Sequence, residues 1–163
     1  MAVGLAALEA IIHVEGPNGA RAIPIAEFHR LPGDRPEQDT HLGRDEIITA
    51  IELPASDYGQ NWTYLKLRDR ASYAFALVSI AAALKVEGGT IRTARLALGG
   101  VAHMPWRNPA VEAALVGKEP TREAFEAAAD ALLDGAKGYG DNDFKIPLAR
   151  RTLLATLRDV TGE

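Results

Sequence analysis

Segments with a strand pattern occupy the first hundred residues of this chain, and the longer helical patterns follow them. Alternating or β-branched runs lie at 11–14, 22–25, 47–53, 62–67, 75–86 and 91–98. Helical patterns lie at 2–10, 108–115, 121–133 and 146–160. Because strands and helices are segregated and do not alternate, this order predicts an α+β fold, with the late helices covering one face of an antiparallel sheet.

The clearest element in the sequence is a hairpin that ends near residue 98. An apolar run over 75–86 leads into Glu87-Gly88-Gly89-Thr90, which is typical of a turn, and alternation follows over 91–98. A second hairpin is predicted around Gly16-Pro17-Asn18-Gly19. The stretch 31–44 has no period and is rich in Pro, Gly and charged residues, so we expect a surface loop there.

Composition excludes several classes of function. The chain has no cysteine, so it offers no thiolate for a metal, an iron–sulfur cluster or a disulfide bond. Its 18 Lys and Arg against 22 Asp and Glu give a net charge of −4, which disfavours nucleic-acid and membrane-surface partners. Phosphate-loop, metal-ligand and nucleophile motifs are absent from the sequence, and no run is long enough to span a bilayer. We therefore expect a cytoplasmic protein, and leave export within a complex open.

Charged residues follow the strand at 62–67 directly. Alternation along that strand places Trp62, Tyr64 and Lys66 on one face. The charged residues are Lys66, Arg68, Asp69 and Arg70. One interpretation is a solvated, partly self-paired turn. The other is a site for an anionic ligand, because a lysine on an aromatic face stays desolvated only beside a negative or hydrogen-bonding group. The residues alone leave both open.

Five ordered segments together resemble one family. They are 25–33, 46–54, Tyr64-Leu65-Lys66 with Arg70, Ala76-Leu77-Val78-Ser79, and Leu98-Gly99-Gly100-Val101-Ala102. In this order they resemble the FAD-binding, or medium, subunit of the molybdenum hydroxylases. That family includes xanthine dehydrogenase, carbon monoxide dehydrogenase and aldehyde oxidoreductase, and the aldehyde oxidoreductase branch is the nearest. The resemblance covers essentially all of this chain but only the C-terminal part of such a subunit.

The resemblance implies a division into two units. Residues 1–55 resemble the end of the FAD-binding subdomain, an α+β unit. Residues 56–163 resemble the C-terminal domain of the CO dehydrogenase flavoprotein, an antiparallel sheet of three or four strands covered by about three helices. A helix that begins at Met1 without a capping residue fits a family in which more protein precedes it.

The resemblance also implies cofactor contacts. Ile48 lies where the family places an aliphatic contact to the flavin, and Lys66 where it places a basic residue beside the isoalloxazine ring. An ammonium there would stabilise the negative charge that a flavin gains on reduction. Some members carry an acidic residue three positions beyond Arg70; here that position is Tyr73, which leaves pyridine-nucleotide binding open. The resemblance assigns no catalytic or metal-binding residue to this chain.

The function implied is electron relay within a multi-subunit oxidoreductase. Molybdopterin would lie on a large partner subunit and 2Fe-2S clusters on a small one, and FAD would pass electrons to an acceptor. The main FAD pyrophosphate loops lie outside this chain, so alone it should be inactive. The alternative is a freestanding, non-enzymatic α+β module for subunit contacts. A broad apolar face around the first helix and the 11–25 hairpin would favour the flavoprotein-subunit fragment over the freestanding module. Such a face could also form a homodimer.

Overall fold

The computed structural model describes residues 1–56 and 58–162. Its helices are α1 (Ala2–Ala7), α2 (Ile25–Phe28), α3 (Pro109–Leu115), α4 (Arg122–Leu132) and α5 (Lys145–Thr161). Its strands are β1 (Ile11–Gly16), β2 (Gly19–Pro24), β3 (Ile47–Glu52), β4 (Trp62–Leu67), β5 (Val78–Glu87) and β6 (Thr90–Gly99). Within the described residues they form two antiparallel sheets, ordered β2-β1-β3 and β4-β5-β6. The predicted α+β class is confirmed.

Several predicted elements have different ends in the structure. The strand predicted for 22–25 is β2, Gly19–Pro24, and Ile25 begins the short helix α2, which was not predicted. The helix predicted for 2–10 ends at Ala7, because Glu9 adopts a left-handed φ of 55° that stops it. The strand predicted for 75–86 begins only at Val78. The residues before Val78 belong to the turn that follows β4.

The main core lies between the second sheet and the three late helices. Alternate residues of β5 and β6 face α3, α4 and α5, and each of these helices packs a stripe of apolar side chains against them. The stripe of α4 is the predicted one, Phe125, Ala128, Ala129 and Leu132. Side chains cap two of these helices: Asn108 accepts a hydrogen bond from Ala110 N, and Thr121 accepts one from Ala124 N. An antiparallel sheet covered by three helices is therefore confirmed.

A second core surrounds α1, which lies between the two sheets. Its buried residues Val3, Ala6 and Ala7 pack in one cluster with residues of both sheets. From the first sheet these include Ile12, Val14 and Ile23; from the second they are Ala81 and Ala97. A Cβ atom added at Gly99 of β6 would lie 2.4 Å from Val3 Cγ2, so only glycine permits this approach. One short helix thus joins both sheets.

A polar network ties the C-terminal end of α1 to the second sheet. The Arg107 guanidinium donates from Nη1 to Ala6 O at 2.9 Å and from Nη2 to Glu9 Oε1 at 2.7 Å. Its Nε donates to Glu112 Oε1 at 2.7 Å. The same Glu112 oxygen accepts the Leu96 backbone N–H at 2.8 Å, so the carboxylate is buried but fully engaged. A cation at this end of the helix also complements its dipole.

The network keeps Arg107 and Glu9 charged. Burial alone would lower the pKa of Arg107, but its hydrogen bonds to Glu112 and Glu9 outweigh burial and raise that pKa. Burial likewise opposes the charge on Glu9, yet the hydrogen bonds and charges of Arg107 and Arg95 keep the pKa of Glu9 below its ordinary value. The ion pair between Arg107 and Glu9 is therefore present throughout the neutral range.

The apolar face predicted around the first helix and the 11–25 hairpin is only partly present. The apolar side chains of α1 and of the hairpin are mostly core residues, because α1 packs against both sheets. Strands β3 and β4 carry a group of exposed apolar side chains instead; they are Ile47, Ile48, Ile51, Trp62, Tyr64 and Leu65. One edge strand of each sheet thus contributes to the apolar surface.

We expect Arg107→Ala to destabilise the chain by about 3 kcal/mol or more, because the buried Glu112 carboxylate loses the cation that hydrogen-bonds to it and keeps only Arg95 Nη1 at 3.9 Å. The control is Arg122→Ala, which removes only an exposed ion pair with Glu126 and should cost less than about 1 kcal/mol. Urea unfolding curves of both variants give the two free energies of unfolding. Equal losses in the two variants would contradict this role of Arg107.

Candidate functional site

Lys66 lies on the aromatic face of β4, as predicted. The register of β4 on β5 pairs Tyr64 with Ala81 and Lys66 with Ser79, so these side chains share one face of the sheet. Lys66 is exposed, and its Nζ lies 5.4 Å from the centroid of the Tyr64 ring. The Tyr64 hydroxyl lies 3.4 Å from Ser79 Oγ. Among the residues that the structure describes, no carboxylate pairs with Lys66, so its charge is available to a ligand.

The turn after β4 is held by one arginine. Arg70 donates from Nε and Nη2 to the carbonyl oxygen of Tyr73, and its guanidinium lies 5.9 Å from the centroid of the Tyr73 ring. Tyr73 has a φ of 55°, a left-handed conformation that is costly for a bulky residue. Tyr73 is 97% exposed and Phe75 fully exposed. The turn is thus solvated, and Arg70 binds within it. For Arg70 this agrees with the interpretation of a solvated, partly self-paired turn.

Gly100 fixes the position of this turn against the end of β6. With a φ of 77°, it lies so close that an added Cβ would be 2.8 Å from Leu77 O and 3.0 Å from Ala76 O. Lys145, the first residue of α5, donates from Nζ to Gly100 O at 2.7 Å. The turn therefore lies on a rigid support made by β6 and α5.

Ile48, the other predicted flavin contact, lies in the first sheet. It pairs with Val14 of β1 and remains partly exposed at the edge of that sheet. The start of β3 is anchored by Glu46, which accepts hydrogen bonds from Arg21 Nε at 2.6 Å and from Gly43 N at 2.6 Å. The Arg21 and Gly43 hydrogen bonds lower the pKa of Glu46 to about 2. Ile48 and Lys66 lie on different sheets, so a ligand that touched both would extend from one sheet to the other.

A groove that the sequence analysis did not single out lies between α1 and β4. Its volume is about 560 Å³. Its lining includes Gly4, Ala7, Trp62, Tyr64, Ala81 and Ala83. The sequence signal that marks it is the pair of alanines on β5 that lie opposite two aromatic residues on β4. Only the strand register, which the sequence does not give, brings these residues together.

Metal-binding clusters and membrane-spanning helices are absent from residues 1–56 and 58–162. No three His, Asp or Glu side chains of that part come together as a metal-binding group. No helix in it is long and apolar enough to cross a membrane.

Residues 62–159 match the family described as CO dehydrogenase flavoprotein C-terminal domain. The chain belongs to this family. Members are flavoprotein domains by that description, and the matched stretch contains Lys66, the Arg70 turn, α3, α4 and all but the last two residues of α5. The family predicted from the sequence is therefore confirmed.

Curated relatives extend the likeness beyond this domain. The aldehyde oxidoreductase FAD-binding subunit PaoB of Escherichia coli (strain K12) is 40% identical over 164 residues, which cover 100% of this chain and 48% of the relative. The carbon monoxide dehydrogenase medium chain of Hydrogenophaga pseudoflava is 34% identical over 155 residues, 93% of this chain and 52% of the relative. The chain thus spans about half the length of these relatives.

A solved structure gives the same result. The carbon monoxide dehydrogenase from Hydrogenophaga pseudoflava, in a form that lacks the Mo-pyranopterin moiety of the molybdenum cofactor, matches with a TM-score of 0.87 and 33% identity. The match covers 99% of this chain and 55% of that chain. A match of this extent spans both sheets and α1, so this chain has the fold of that structure over nearly its whole length.

We expect Arg70→Ala to loosen the turn after β4 without unfolding the domain. The change removes the donors that hold the Tyr73 carbonyl, so the amide of Leu77, which donates to Leu67 O at 2.8 Å, should exchange its hydrogen about tenfold faster. Arg68→Ala, a change to an exposed neighbour in the same turn, is the control. Hydrogen–deuterium exchange with mass spectrometry measures both. If both variants exchange at the rate of the parent, Arg70 does not hold the turn.

Proposed function

We propose that the chain forms the C-terminal part of the FAD-binding subunit of a molybdenum hydroxylase of the xanthine or aldehyde dehydrogenase type. The observation that carries this proposal is the 40% identity to an aldehyde oxidoreductase FAD-binding subunit over the full length of the chain. The chain contributes to electron relay and has no catalytic residue of its own. Its partners are a large subunit with molybdopterin and a small subunit with 2Fe-2S clusters.

The proposal includes a division of the chain near residue 55. Residues 1–55 end the FAD-binding subdomain, and residues 56–163 form the CO dehydrogenase flavoprotein C-terminal-like domain. The separate sheets support this division, because the last strand of the first sheet ends at Glu52 and the first strand of the second begins at Trp62.

The residues present fit one side of a flavin. When bound, FAD supplies a carrier that takes up electrons from iron–sulfur clusters and delivers them to an acceptor. Lys66 offers an exposed ammonium without a carboxylate partner among the described residues, and Ile48 offers an exposed aliphatic surface. Lys66 would hold positive charge beside the ring edge where negative charge develops on reduction.

The chain offers no glycine-rich loop for the pyrophosphate of FAD. Its sequence contains neither GxGxxG nor GxxxxGK(S/T), the loops that commonly hold a pyrophosphate at a helix N-terminus. The isolated chain should therefore bind FAD weakly and be inactive. The exposed apolar side chains of β3 and β4 weigh against the alternative of a freestanding subunit-interaction module, since a complete module would bury them.

We expect Lys66→Ala, made in a full FAD-loaded subunit that contains this chain, to lower the flavin midpoint potential. The loss of one nearby charge should weaken binding of the reduced flavin by roughly tenfold. The fold should be unaffected, because Lys66 is exposed. Spectroelectrochemical titration measures the potential, and absorbance measures FAD content.

Two control variants sharpen this experiment. Lys66→Arg keeps the charge and should restore most of the potential, whereas Arg92→Ala removes an exposed charge from β6 and should leave it unchanged. An unaltered flavin spectrum, midpoint potential and FAD content in Lys66→Ala would remove Lys66 from the cofactor site.

A further inference from the structure

The apolar cluster that contains helix α1 reaches only two of the three strands in each sheet. In the first sheet, Ile12 pairs with Ile51 and Val14 with Ile48, so these four side chains lie on the face that α1 covers. Ile12 and Val14 are fully buried beneath the helix, whereas Ile48 is 41% and Ile51 43% exposed. The core on this face therefore stops at β1, and the apolar row continues uncovered onto β3.

The second sheet repeats this arrangement. Ala81 of β5 lies beneath α1 and is buried, while its partner Tyr64 on β4 remains partly exposed. Trp62, which pairs with Ala83, is 63% exposed. The groove between α1 and β4 lies directly over these two aromatic residues. An exposed tryptophan beside a concave apolar surface is typical of an interface.

The chemistry of the groove favours a packed polypeptide over an ionic ligand. Its lining is mainly apolar, and the described lining residues include no charged side chain. Gly4, Ala7, Ala81 and Ala83 are small, so they leave depth for the larger aliphatic side chains of a neighbouring element. Both uncovered rows extend existing cores, so one covering layer would complete each of them.

The lengths of the relatives indicate what this covering layer is. This chain matches 48% of the aldehyde oxidoreductase FAD-binding subunit and 52% of a carbon monoxide dehydrogenase medium chain. Each relative therefore has as much polypeptide again outside the matched region. We propose that the α1–β4 groove and Ile51 of β3 are the docking surface for that remaining polypeptide, with an apolar element of it packed on Trp62 and Tyr64, while Ile48 keeps its proposed contact with the flavin. This inference rests on the proposed function.

The test compares one substitution in two contexts. The first is the 163-residue chain alone. The second is a chimeric subunit in which this chain replaces the 164 matched residues of the Escherichia coli FAD-binding subunit, produced with that subunit's complex. Trp62→Asp places a charge in the groove. Alone, the exposed position should tolerate it, with the melting temperature changed by less than about 2 °C. In the chimera, the yield of folded subunit should fall by roughly fivefold or more.

A matched control separates docking from surface charge. Tyr139→Asp puts the same charge on an exposed aromatic residue that does not line the groove. It should leave both the chain and the chimera unchanged. Equal effects of the two substitutions in the chimera, or an equal loss of stability in the chain alone, would overturn the proposal. Failure of the unsubstituted chimera to accumulate would also overturn the proposal.

Sedimentation and FAD content provide two further readouts. Sedimentation of the isolated chain reports self-association: a dimer that Trp62→Asp dissociates would mean that a second copy, and not the rest of the subunit, covers the groove. The FAD content of the parent chimera tests the proposed function separately. A chimera that folds and depends on Trp62 but holds no FAD would retain the docking surface and overturn the flavoprotein function.

Discussion

The close packing of α1 on both sheets is the constraint on which the rest of this structure depends. Val3 approaches Gly99 so closely that a side chain at position 99 would collide with it, and Ala81 and Ala97 complete a surface of small residues beneath the helix. Hydrophobic burial is not directional, so it needs a second interaction to fix the orientation of the helix. Arg107 provides it by binding the Ala6 carbonyl and Glu9 at one end of α1.

The candidate cofactor residues depend on this arrangement for their positions. Ile48 belongs to the sheet on one side of α1 and Lys66 to the sheet on the other. A cofactor that contacts both would depend on their separation, which the packing of α1 sets. The turn held by Arg70 adds local rigidity beside Lys66, because Gly100 and Lys145 support it from β6 and α5. Site geometry here comes from packing between elements that are distant in the sequence.

Local patterns predicted most elements, and long-range contacts explain what they missed. The β5–β6 hairpin, the buried stripe of α4 and the shared face of Tyr64 and Lys66 follow from periodicity, turn residues and alternation. The Arg107–Ala6 bond joins residues 101 positions apart, so no local pattern reveals it. The sequence patterns likewise did not predict that Ile48 and Ile51 of β3 are exposed, since their exposure depends on how far α1 reaches. The family resemblance supplied Ile48, because the alternating strand pattern only places it on one face with Ala50 and Glu52.

The position of α1 between the sheets also bears on how this chain can vary in evolution. The two sheets are joined in sequence by residues 53–61, but α1 and Arg107 hold them together in space. Insertions or deletions in 53–55, before the residues that line the groove, can therefore accumulate without altering the mutual placement of the sheets, as is usual for connecting loops. The tight corner between Ala7 and Ile11 has no such freedom, because a single added residue would turn β1 relative to the helix. Family members should differ in length at the first segment and agree at the second.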